Sequence, residues 1–369
     1  MTIEDENPDL PLKLTKPEMA WSQAILHLDM DAFFVNVHLL EHPEDRGLPM
    51  AIGGQPGSRG VIASASYEAR QFGVHSAMPS IRALQLCPDL KIVRHSWLPI
   101  HECSKQVMAI LQQYGPVEQM SVDEAYVDLS GWPQPETLPE IIKRRVKDES
   151  GLPASVGLST SKLVAKVASD FDKPEGCKIV YPGEEASFLA PLPVRVIWGI
   201  GPRTAEKLAE MGIKTCGQLA GHNLSKLAKE FGNQARSLQE RAKGIDKRFI
   251  HTERGLPKSI SQEWTFSQDV DDPEILKAQL RKQSASVSRS LQKRNLIAHT
   301  VKVKFRWADF TTFTRQKSVE VGIDEEEKIY ALALAIWQEH WPQGRKTRLL
   351  GVGVSSLEEP TARQIDFGF

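Results

Sequence analysis

Two stretches of the chain alternate short apolar strands with amphipathic helices, and a stretch without a clear strand separates them. The first extends from residue 25 to about residue 185, and the second from residue 259 to residue 357. The separating stretch follows a Pro-rich break at residues 191–193 and is punctuated by Gly199, Gly201, Gly212, Gly217 and Gly232. This alternation predicts α/β or α+β layers on both sides of a helical segment. A chain of 369 residues is too long for one core, so we expect several domains.

The periodicity also predicts individual elements. Strands are expected at residues 25–28, 50–52, 60–65, 117–129, 154–158 and 300–305. Helices are expected at residues 33–41, 67–72, 79–87, 99–113, 141–146 and 161–169. The last of these follows a start signal at Ser159 and Thr160.

Composition limits the class of protein. Hydrophobic residues make up 41% and charged residues 25%, which is ordinary for a globular protein. The net charge of −1 does not exclude a nucleic-acid partner, because a polyanion needs only a local basic surface. The scattered cysteines indicate neither a disulfide framework nor a zinc site and fit a reducing cytosol. No apolar run reaches the ~18 residues of a membrane span, so we expect a cytoplasmic protein without a membrane partner.

The N-terminal segment is acidic. Glu4, Asp5, Glu6 and Asp9 precede any apolar stretch, whereas a secretory signal needs positive charge there. We expect residues 1–22 to be a disordered leader.

Acidic residues occur at the ends of two apolar segments. Asp29 and Asp31 follow residues 25–28, and Asp123 and Glu124 lie within residues 117–129. Carboxylates on separate strands are how proteins bind hard divalent ions. Two such ions about 3.5–4 Å apart can activate a hydroxyl and stabilise a leaving pyrophosphate without a nucleophilic side chain.

The spacing alone also allows a simpler interpretation of these four residues. Asp29 and Asp31 could cap a helix that begins near Ala32, and Asp123 and Glu124 could mark a solvated turn. Adjacent strand residues point to opposite faces, so Asp123 and Glu124 can share an ion only if a turn twists them together.

Two motifs carry a specific resemblance. Residues 28–34 (LDMDAFF) and residues 121–128 (SVDEAYVD) resemble the metal-binding motifs of Y-family DNA polymerases, above all those of the DNA polymerase IV (DinB) branch. The resemblance covers residues 24–357 in order, through residues 65–74, 76–79, 156–159, 165–170, 173–174, 199–201 and 349–355. It implies a template-directed, low-fidelity DNA polymerase that acts in translesion synthesis and has no proofreading exonuclease.

The resemblance also implies an architecture. The expected fold is an α+β multidomain right hand with a palm, small fingers, a helical thumb and an α/β little finger. The implied divisions are residues 1–22 for the leader, 23–32 and 95–185 for the palm, 33–94 for the fingers, 186–248 for the thumb, 249–259 for a linker, 260–357 for the little finger and 358–369 for a tail.

By the same resemblance, Asp29, Asp123 and Glu124 are the catalytic residues. They would hold two Mg²⁺ ions, which Mn²⁺ can replace, with the backbone carbonyl of Met30 as a further ligand. Asp31 matches an acidic position that is not a metal ligand, so we expect it to cap a helix.

The resemblance further assigns the nucleotide site to Phe33, Phe34, Ser64, Tyr67, Arg70 and Lys173. Phe34 matches the steric gate, an aromatic ring that would collide with a ribose 2′-hydroxyl; the alternative is that both phenylalanines are core residues. Tyr67 and Arg70 are three residues apart on a predicted helix, so both can face one ligand. Lys166 is left outside the predicted site.

Two segments are predicted to bind primer-template DNA. Residues 198–205 resemble a helix–hairpin–helix turn, in which Gly199, Gly201 and Arg203 would meet phosphate, although an ordinary helix–helix loop fits equally well. Residues 281–317 contain ten lysines and arginines against the single acid Asp309. We expect this basic stretch to contact the DNA backbone rather than to be a solvated face, through Lys302, Lys304, Arg306 and Arg315.

The C-terminal tail resembles a sliding-clamp peptide. Gln364, Ile365 and Phe367 would bind the clamp, although Phe367 stands where leucine is usual and Gly368 precedes Phe369. A tail without function is the alternative. We expect a monomer that binds DNA, deoxynucleoside triphosphates and the clamp. The rival classes are a non-catalytic DNA-binding adaptor and a nucleotide cyclase on a related palm.

Overall fold

The alternating segments of the sequence form the strands and helices of the computed structural model, which describes residues 21–94, 96–253 and 255–360. The strands are β1 (Ile25–Met30), β2 (Met50–Gly53), β3 (Ile62–Ala65), β4 (Lys91–Val93), β5 (Val117–Gln119), β6 (Glu124–Asp128), β7 (Ala154–Ser159), β8 (Cys177–Ile179), β9 (Ser259–Val270), β10 (Ile297–Trp307), β11 (Thr312–Ile323) and β12 (Thr347–Glu358). The helices are α1 (Phe33–Glu41), α2 (Tyr67–Gln71), α3 (Ser80–Leu86), α4 (Trp97–Leu111), α5 (Leu138–Ser150), α6 (Lys162–Phe171), α7 (Glu185–Leu189), α8 (Pro202–Glu210), α9 (Cys216–Gly221), α10 (Leu224–Phe231), α11 (Gln234–Ala242), α12 (Pro273–Lys293) and α13 (Glu326–His340).

Contacts between residues divide the chain into two units. Among the described residues, the first combines residues 21–47 with residues 96–253, and the second combines residues 48–94 with residues 255–360. The first unit contains a five-stranded sheet in the order β5-β6-β1-β7-β8. Its central strand, β1, is antiparallel to both β6 and β7.

Every residue of β1 is buried, because helices cover both faces of the sheet. Leu26, Leu28 and Met30 point into a core that α4 and α5 complete. Ile25 points to the opposite face, where it packs with Ala165 of α6. A strand covered on both faces reads as a continuous apolar run, which is why this segment could be recognised from the sequence.

The rest of the first unit is helical, as the sequence predicts. Helices α7 to α11 pack around an apolar core that α6 shares through Leu163 and Val167. The described residues between 180 and 253 contain no strand, only an isolated bridge between Pro193 and Thr215. Thr215 also begins α9 with a capping box, because its hydroxyl accepts a hydrogen bond from the amide of Gln218 and the Gln218 side chain bonds back.

The second unit contains two further sheets. Three strands in the order β3-β2-β4 carry the short helices α2 and α3. Four antiparallel strands in the order β11-β10-β12-β9 carry α12 and α13 on one face. The separate layers confirm the predicted α+β class.

The structure corrects three details of the sequence predictions. The strands β4 and β8, each of three residues, were not predicted, because so short a segment has no periodicity. The cap of α6 is Ser161 rather than Ser159 or Thr160, since the Ser161 hydroxyl accepts the amide of Val164. Asp31 does not cap α1; the residue at that position is Ala32, with φ 42°, and no side chain caps the helix.

No helix in the described part of the chain is long and apolar enough to cross a membrane.

Candidate active site

Two carboxylates lie side by side at the end of the central strand. Asp29 of β1 is directly opposite Glu124, the first residue of β6. Asp123 lies in the turn before β6, which is closed by hydrogen bonds from the amides of Met120 and Ser121 to the Glu124 carbonyl at 2.9 and 3.3 Å. Asp123 and Glu124 therefore do not follow the alternation of a regular strand, and the turn brings both residues to the same end of the sheet.

Two lysines neutralise these carboxylates. Lys173 Nζ is 2.7 Å from Asp29 Oδ2 and 2.8 Å from Asp170 Oδ1. Lys166 Nζ is 2.7 Å from Glu124 Oε1 and 3.9 Å from Asp29 Oδ2. Lys166 and Asp170 are four residues apart on α6, so one helix face presents both charges to the end of the sheet.

Burial and this charge pattern shift the pKa of Asp29, Glu124 and Lys173. Burial raises the pKa of Asp29, and the neighbouring Glu124 raises it further against the effect of Lys173. Burial acts in the same direction on Glu124, but hydrogen bonds with Asp29 and Lys166 outweigh it and lower the pKa of Glu124. The pKa of Lys173 is raised because attraction to Asp29 and Asp170 exceeds the cost of its burial. The arrangement favours a proton shared within the acidic pair beside the charged ammonium group of Lys173.

A neutral histidine lies behind the pair. His27 is fully buried on the same face of β1 as Asp29, and its Nδ1 is 2.7 Å from Ser169 Oγ. Burial and the charges of Lys166 and Lys173 lower the pKa of His27 to about 3. The ring packs against Tyr126 at 4.7 Å between centroids, so it supports the end of β1 as an uncharged group.

The carboxylate of Asp123 has a different partner. Ser121 Oγ donates to Asp123 Oδ1 at 2.5 Å. Within the described residues, no three or more His, Cys, Asp or Glu side chains are arranged to hold a metal ion. The donors nevertheless fit Mg²⁺ chemically, because Asp29 and Glu124 converge as hard oxygen ligands and Asp123 lies in the turn that immediately precedes Glu124. The balancing ammonium groups also show that this position favours positive charge.

The two phenylalanines after the motif are placed differently. Phe33 is buried in the core of the first unit, whereas Phe34 is partly exposed at its edge. The Phe34 ring meets Trp97 edge-on at 5.9 Å, and Trp97 stacks on His101 at 5.5 Å. The alternative that both rings are core residues therefore holds for Phe33 alone.

Three of the predicted nucleotide ligands lie in the second unit. Tyr67 and Arg70 are on α2, and the Arg70 guanidinium lies 4.4 Å from the centre of the Tyr67 ring. Arg70 Nε donates to the carbonyl of Ala65 at 3.1 Å, which orients the side chain. Ser64 is buried on β3, one residue before that carbonyl.

The predicted helix–hairpin–helix turn leads into α8. Gly199 has φ 92°, a conformation that favours glycine, and Gly201 caps the helix, which begins with Pro202. Arg203 is exposed in the first turn of α8. Trp198 is 61% exposed, and its carbonyl accepts a hydrogen bond from Arg241 Nη1 at 3.0 Å.

The strand β10 separates apolar from basic side chains as predicted. Val301, Val303 and Phe305 are fully buried, whereas Lys302 and Lys304 point to the other face. Arg306 continues this face, and its Nε donates to Thr312 Oγ1 at 2.8 Å.

Arg315 does not belong to the same face. It pairs with Val303 in the antiparallel register, so its side chain leaves β11 on the helix-covered side. There its guanidinium lies 4.8 Å from the centre of the Phe313 ring.

Acidic side chains from other elements neutralise part of the basic stretch of residues 281–317. Lys304 binds Glu263, Lys317 binds Glu339 at 3.0 Å, and Arg281 binds Glu326 at 3.0 Å. These carboxylates come from β9 and α13, outside residues 281–317. Counting charges along one segment therefore overestimates its basic surface.

The predicted clamp-binding residues Gln364, Ile365 and Phe367 lie outside the described residues, as does the leader up to residue 20. Trp21, the next residue, packs against Tyr181 and donates to Glu136 at 3.0 Å.

Comparison with known proteins agrees with this geometry. Residues 28–170 match the impB/mucB/samB family, residues 257–367 match the C-terminal domain of that family, and residues 182–213 match the IMS family HHH motif. The DNA polymerase IV of Alkalilimnicola ehrlichii is 39% identical over 92% of this chain and 97% of its own length. That of Dehalococcoides mccartyi is 41% identical over 91% of this chain and 87% of its own length. The chain belongs to the Y family of DNA polymerases.

Solved structures of the same family have the same fold. A Y-family DNA polymerase chimera superposes with a TM-score of 0.80 and 25% identity, over 91% of this chain and 100% of the chimera. DinB from Sulfolobus solfataricus gives a TM-score of 0.62 and 25% identity, over 90% of this chain and 98% of its own. Family membership makes this chain a DNA-directed DNA polymerase of the DinB type.

Sequence reasoning left two residues, Lys166 and His27, out of this polymerase's candidate site and gave a third, Asp31, a different role. Lys166 carried one usable signal, its spacing of four residues from Asp170, but its main partner Glu124 is 42 residues away. His27 and Asp31 alternate with Asp29 along the chain, a spacing that is compatible with one face of a strand but does not indicate their partners Ser169 and Glu175.

Proposed function

We propose that this Y-family polymerase extends a primer with deoxynucleoside triphosphates by two-metal-ion catalysis, acts in translesion synthesis and has no proofreading activity. The observation that carries the proposal is the acidic end of β1 and β6, where Asp29 and Glu124 meet between two lysines. Such a site has the charge and the oxygen donors for phosphoryl transfer, a reaction that needs no nucleophilic side chain.

The metal ligands we propose are Asp29, Asp123 and Glu124, with the backbone carbonyl of Met30. Bound Mg²⁺, or Mn²⁺ in its place, would supply positive charge that stabilises negative charge on the primer 3′-oxygen and on the leaving pyrophosphate. The amide of Met30 donates to the Asp123 carbonyl at 3.0 Å, which ties the turn to the end of β1 and fixes the spacing of the ligands.

The positively charged side chains would bind the triphosphate. Lys173 offers an ammonium group beside Asp29, where it neutralises negative charge. In the second unit, Arg70 offers the forked contact that suits phosphate, and Tyr67 supports it through the ring beneath the guanidinium. Ser64 is proposed as a neighbouring part of this nucleotide site.

Phe34 is proposed as the steric gate. Its ring is partly exposed and held edge-on by Trp97, so a larger sugar would have to displace a supported aromatic ring. Exclusion of this kind selects deoxyribose without any hydrogen bond to the sugar.

The DNA would be held through its phosphates. The amides before α8, with Gly199, Gly201 and Arg203, and the face of Lys302, Lys304 and Arg306 offer contacts that do not depend on base sequence. We assign the five-stranded sheet to the palm, the sheet of β3, β2 and β4 to the fingers, α7 to α11 to the thumb, and the four-stranded sheet to the little finger.

The remaining parts of the proposal concern partners and location. The tail with Gln364, Ile365 and Phe367 would bind the sliding clamp, and the polymerase would act as a cytoplasmic monomer. The resemblance of the tail to a clamp-binding peptide supports the clamp assignment.

Primer extension with single nucleotides tests the proposal. On undamaged templates that differ only in the next base, we expect the purified chain with Mg²⁺ to add the complementary nucleotide most efficiently and to release pyrophosphate. A template lesion should reduce extension without abolishing it, and a mispaired primer end should not be excised. DNA binding without nucleotide addition would favour the adaptor alternative.

A further inference from the structure

Asp31 is a buried carboxylate without a role in the proposed reaction. Its side chain is 2% exposed. Both of its oxygens lie 3.0 Å from the hydroxyl of Ser155, and the amide of Glu175 donates to Asp31 Oδ2 at 2.8 Å. Its main chain is fixed as well, because its amide donates to the Pro153 carbonyl at 3.0 Å.

One of the residues bonded to Asp31, Glu175, belongs to the loop that carries Lys173. This loop, residues 172–176, connects α6 to β8. The Glu175 amide is bound to Asp31, and the next amide, of Gly176, donates to Ser155 Oγ at 3.1 Å. Asp31 and Ser155 therefore fix two consecutive peptide groups at the end of the loop.

The loop has little freedom between these anchors. Glu175 has φ 53°, and a Cβ on Gly176 would lie 2.6 Å from the carbonyl oxygen of Asp172. Because the loop is so tightly folded, the position of residue 173 depends on the positions of residues 175 and 176. Lys173 Nζ in turn lies 2.7 Å from Asp29.

We propose that Asp31 is a positioning residue, which holds the loop of residues 172–176 so that the Lys173 ammonium reaches the nucleotide's phosphates beside Asp29. This inference rests on the proposed role of Lys173. Asp31 acts through hydrogen bonds to a hydroxyl and an amide, whereas Asp29 lies directly against ammonium groups; that difference separates a positioning carboxylate from a metal ligand. A carboxylate has two acceptor oxygens, so Asp31 can accept hydrogen bonds from the Ser155 hydroxyl and from the Glu175 amide at this buried position.

Two independent measurements on the full chain test the proposal. Amide hydrogen exchange of Asp31→Ala should be faster than wild type at Glu175 and Gly176 and unchanged in β10. In single-turnover incorporation by Asp31→Ala, the Kd for the incoming nucleotide should rise about tenfold, which corresponds to about 1.4 kcal/mol of lost binding free energy. The Kd for DNA should be unchanged. Asp31→Asn retains an acceptor for the Glu175 amide and should recover most of the affinity.

The double variant identifies the route of the effect. If Asp31 acts through Lys173, then Asp31→Ala should weaken nucleotide binding no further in a chain that already carries Lys173→Ala. Asp45→Ala is the matched control, because Asp45 is also a buried acid of the first unit. Its carboxylate is 2.8 Å from His38 Nε2, and His38 does not belong to this loop. Asp45→Ala should leave the nucleotide Kd unchanged even if it lowers the Tm.

Three outcomes would overturn the inference. They are unchanged exchange at Glu175 and Gly176, effects of the two single variants that multiply in the double variant, or a nucleotide Kd raised equally by Asp45→Ala. Failure of the proposed function is distinguishable from these, because it would appear as absent incorporation by the wild type itself, while the exchange measurement needs no activity.

Discussion

At the scale of single residues, the site is defined by balanced charge. Asp29 is buried and Glu124 is half-buried, and charged groups in such positions require partners. Lys173 and Lys166 supply them, each within 2.7 Å of one carboxylate. The carboxylates could be predicted from the sequence because apolar runs mark them. Lys166 could not, because its partner is distant in the chain.

The steric gate gives a prediction at this scale. Replacing Phe34 by alanine removes the partly exposed ring that Trp97 supports. We expect ribonucleotide incorporation to rise roughly 10–100-fold relative to deoxyribonucleotide incorporation, as kcat/KM for single insertions.

The control for this variant is Phe249→Ala. Phe249 is 71% exposed in the same unit, so its removal should leave sugar discrimination unchanged. Equal discrimination by wild type and Phe34→Ala would contradict the assignment of the gate.

At the scale of elements, alternation along a strand was the most reliable signal. The apolar and basic faces of β10 follow the predicted period of two residues. The face of Arg315 could not be predicted, because its register with β10, which puts it opposite Val303, cannot be read from the sequence. Asp31 was misassigned as a cap for a similar reason, since Ser155 and Glu175 are distant in the chain.

The basic face of β10 gives a pair of predictions with opposite signs. Lys302→Ala removes a cation from this face and should weaken DNA binding. The negative slope of the logarithm of the DNA association constant against the logarithm of salt concentration should become shallower by about 1. Glu263→Gln removes the carboxylate whose oxygens bind Lys304 at 2.8 and 2.9 Å, so it should strengthen DNA binding.

Fluorescence anisotropy over a range of salt concentrations measures both effects. Lys317→Ala is the matched control, because Lys317 pairs with Val301 in the register and binds Glu339 on the opposite face. If Lys317→Ala weakens binding as much as Lys302→Ala does, DNA does not lie along the predicted face.

At the scale of the whole molecule, the sequence indicated several domains and the α+β class. It indicated them because two alternating stretches flank a helical one, and the sheets of both units follow from those stretches. Tertiary pairing of charges could not be derived, since acids of β9 and α13 neutralise a stretch that is basic in sequence.

The tail gives a prediction at this scale. A chain that ends at residue 360 retains all of β12, which ends at Glu358. We expect it to extend primers like the full chain without a sliding clamp and to lose stimulation when the clamp is loaded. Equal stimulation of both chains in a primer-extension assay would show that residues 361–369 do not bind the clamp.

The central claim is that the acidic end of β1 and β6 catalyses nucleotide addition. Primer extension with Mg²⁺ by wild type and by Asp123→Ala tests it most directly, with Asp148→Ala as the control because Asp148 is an exposed acid of the same unit. The account predicts extension by wild type and Asp148→Ala, and none by Asp123→Ala although that variant still binds DNA. Undiminished extension by Asp123→Ala would contradict the account.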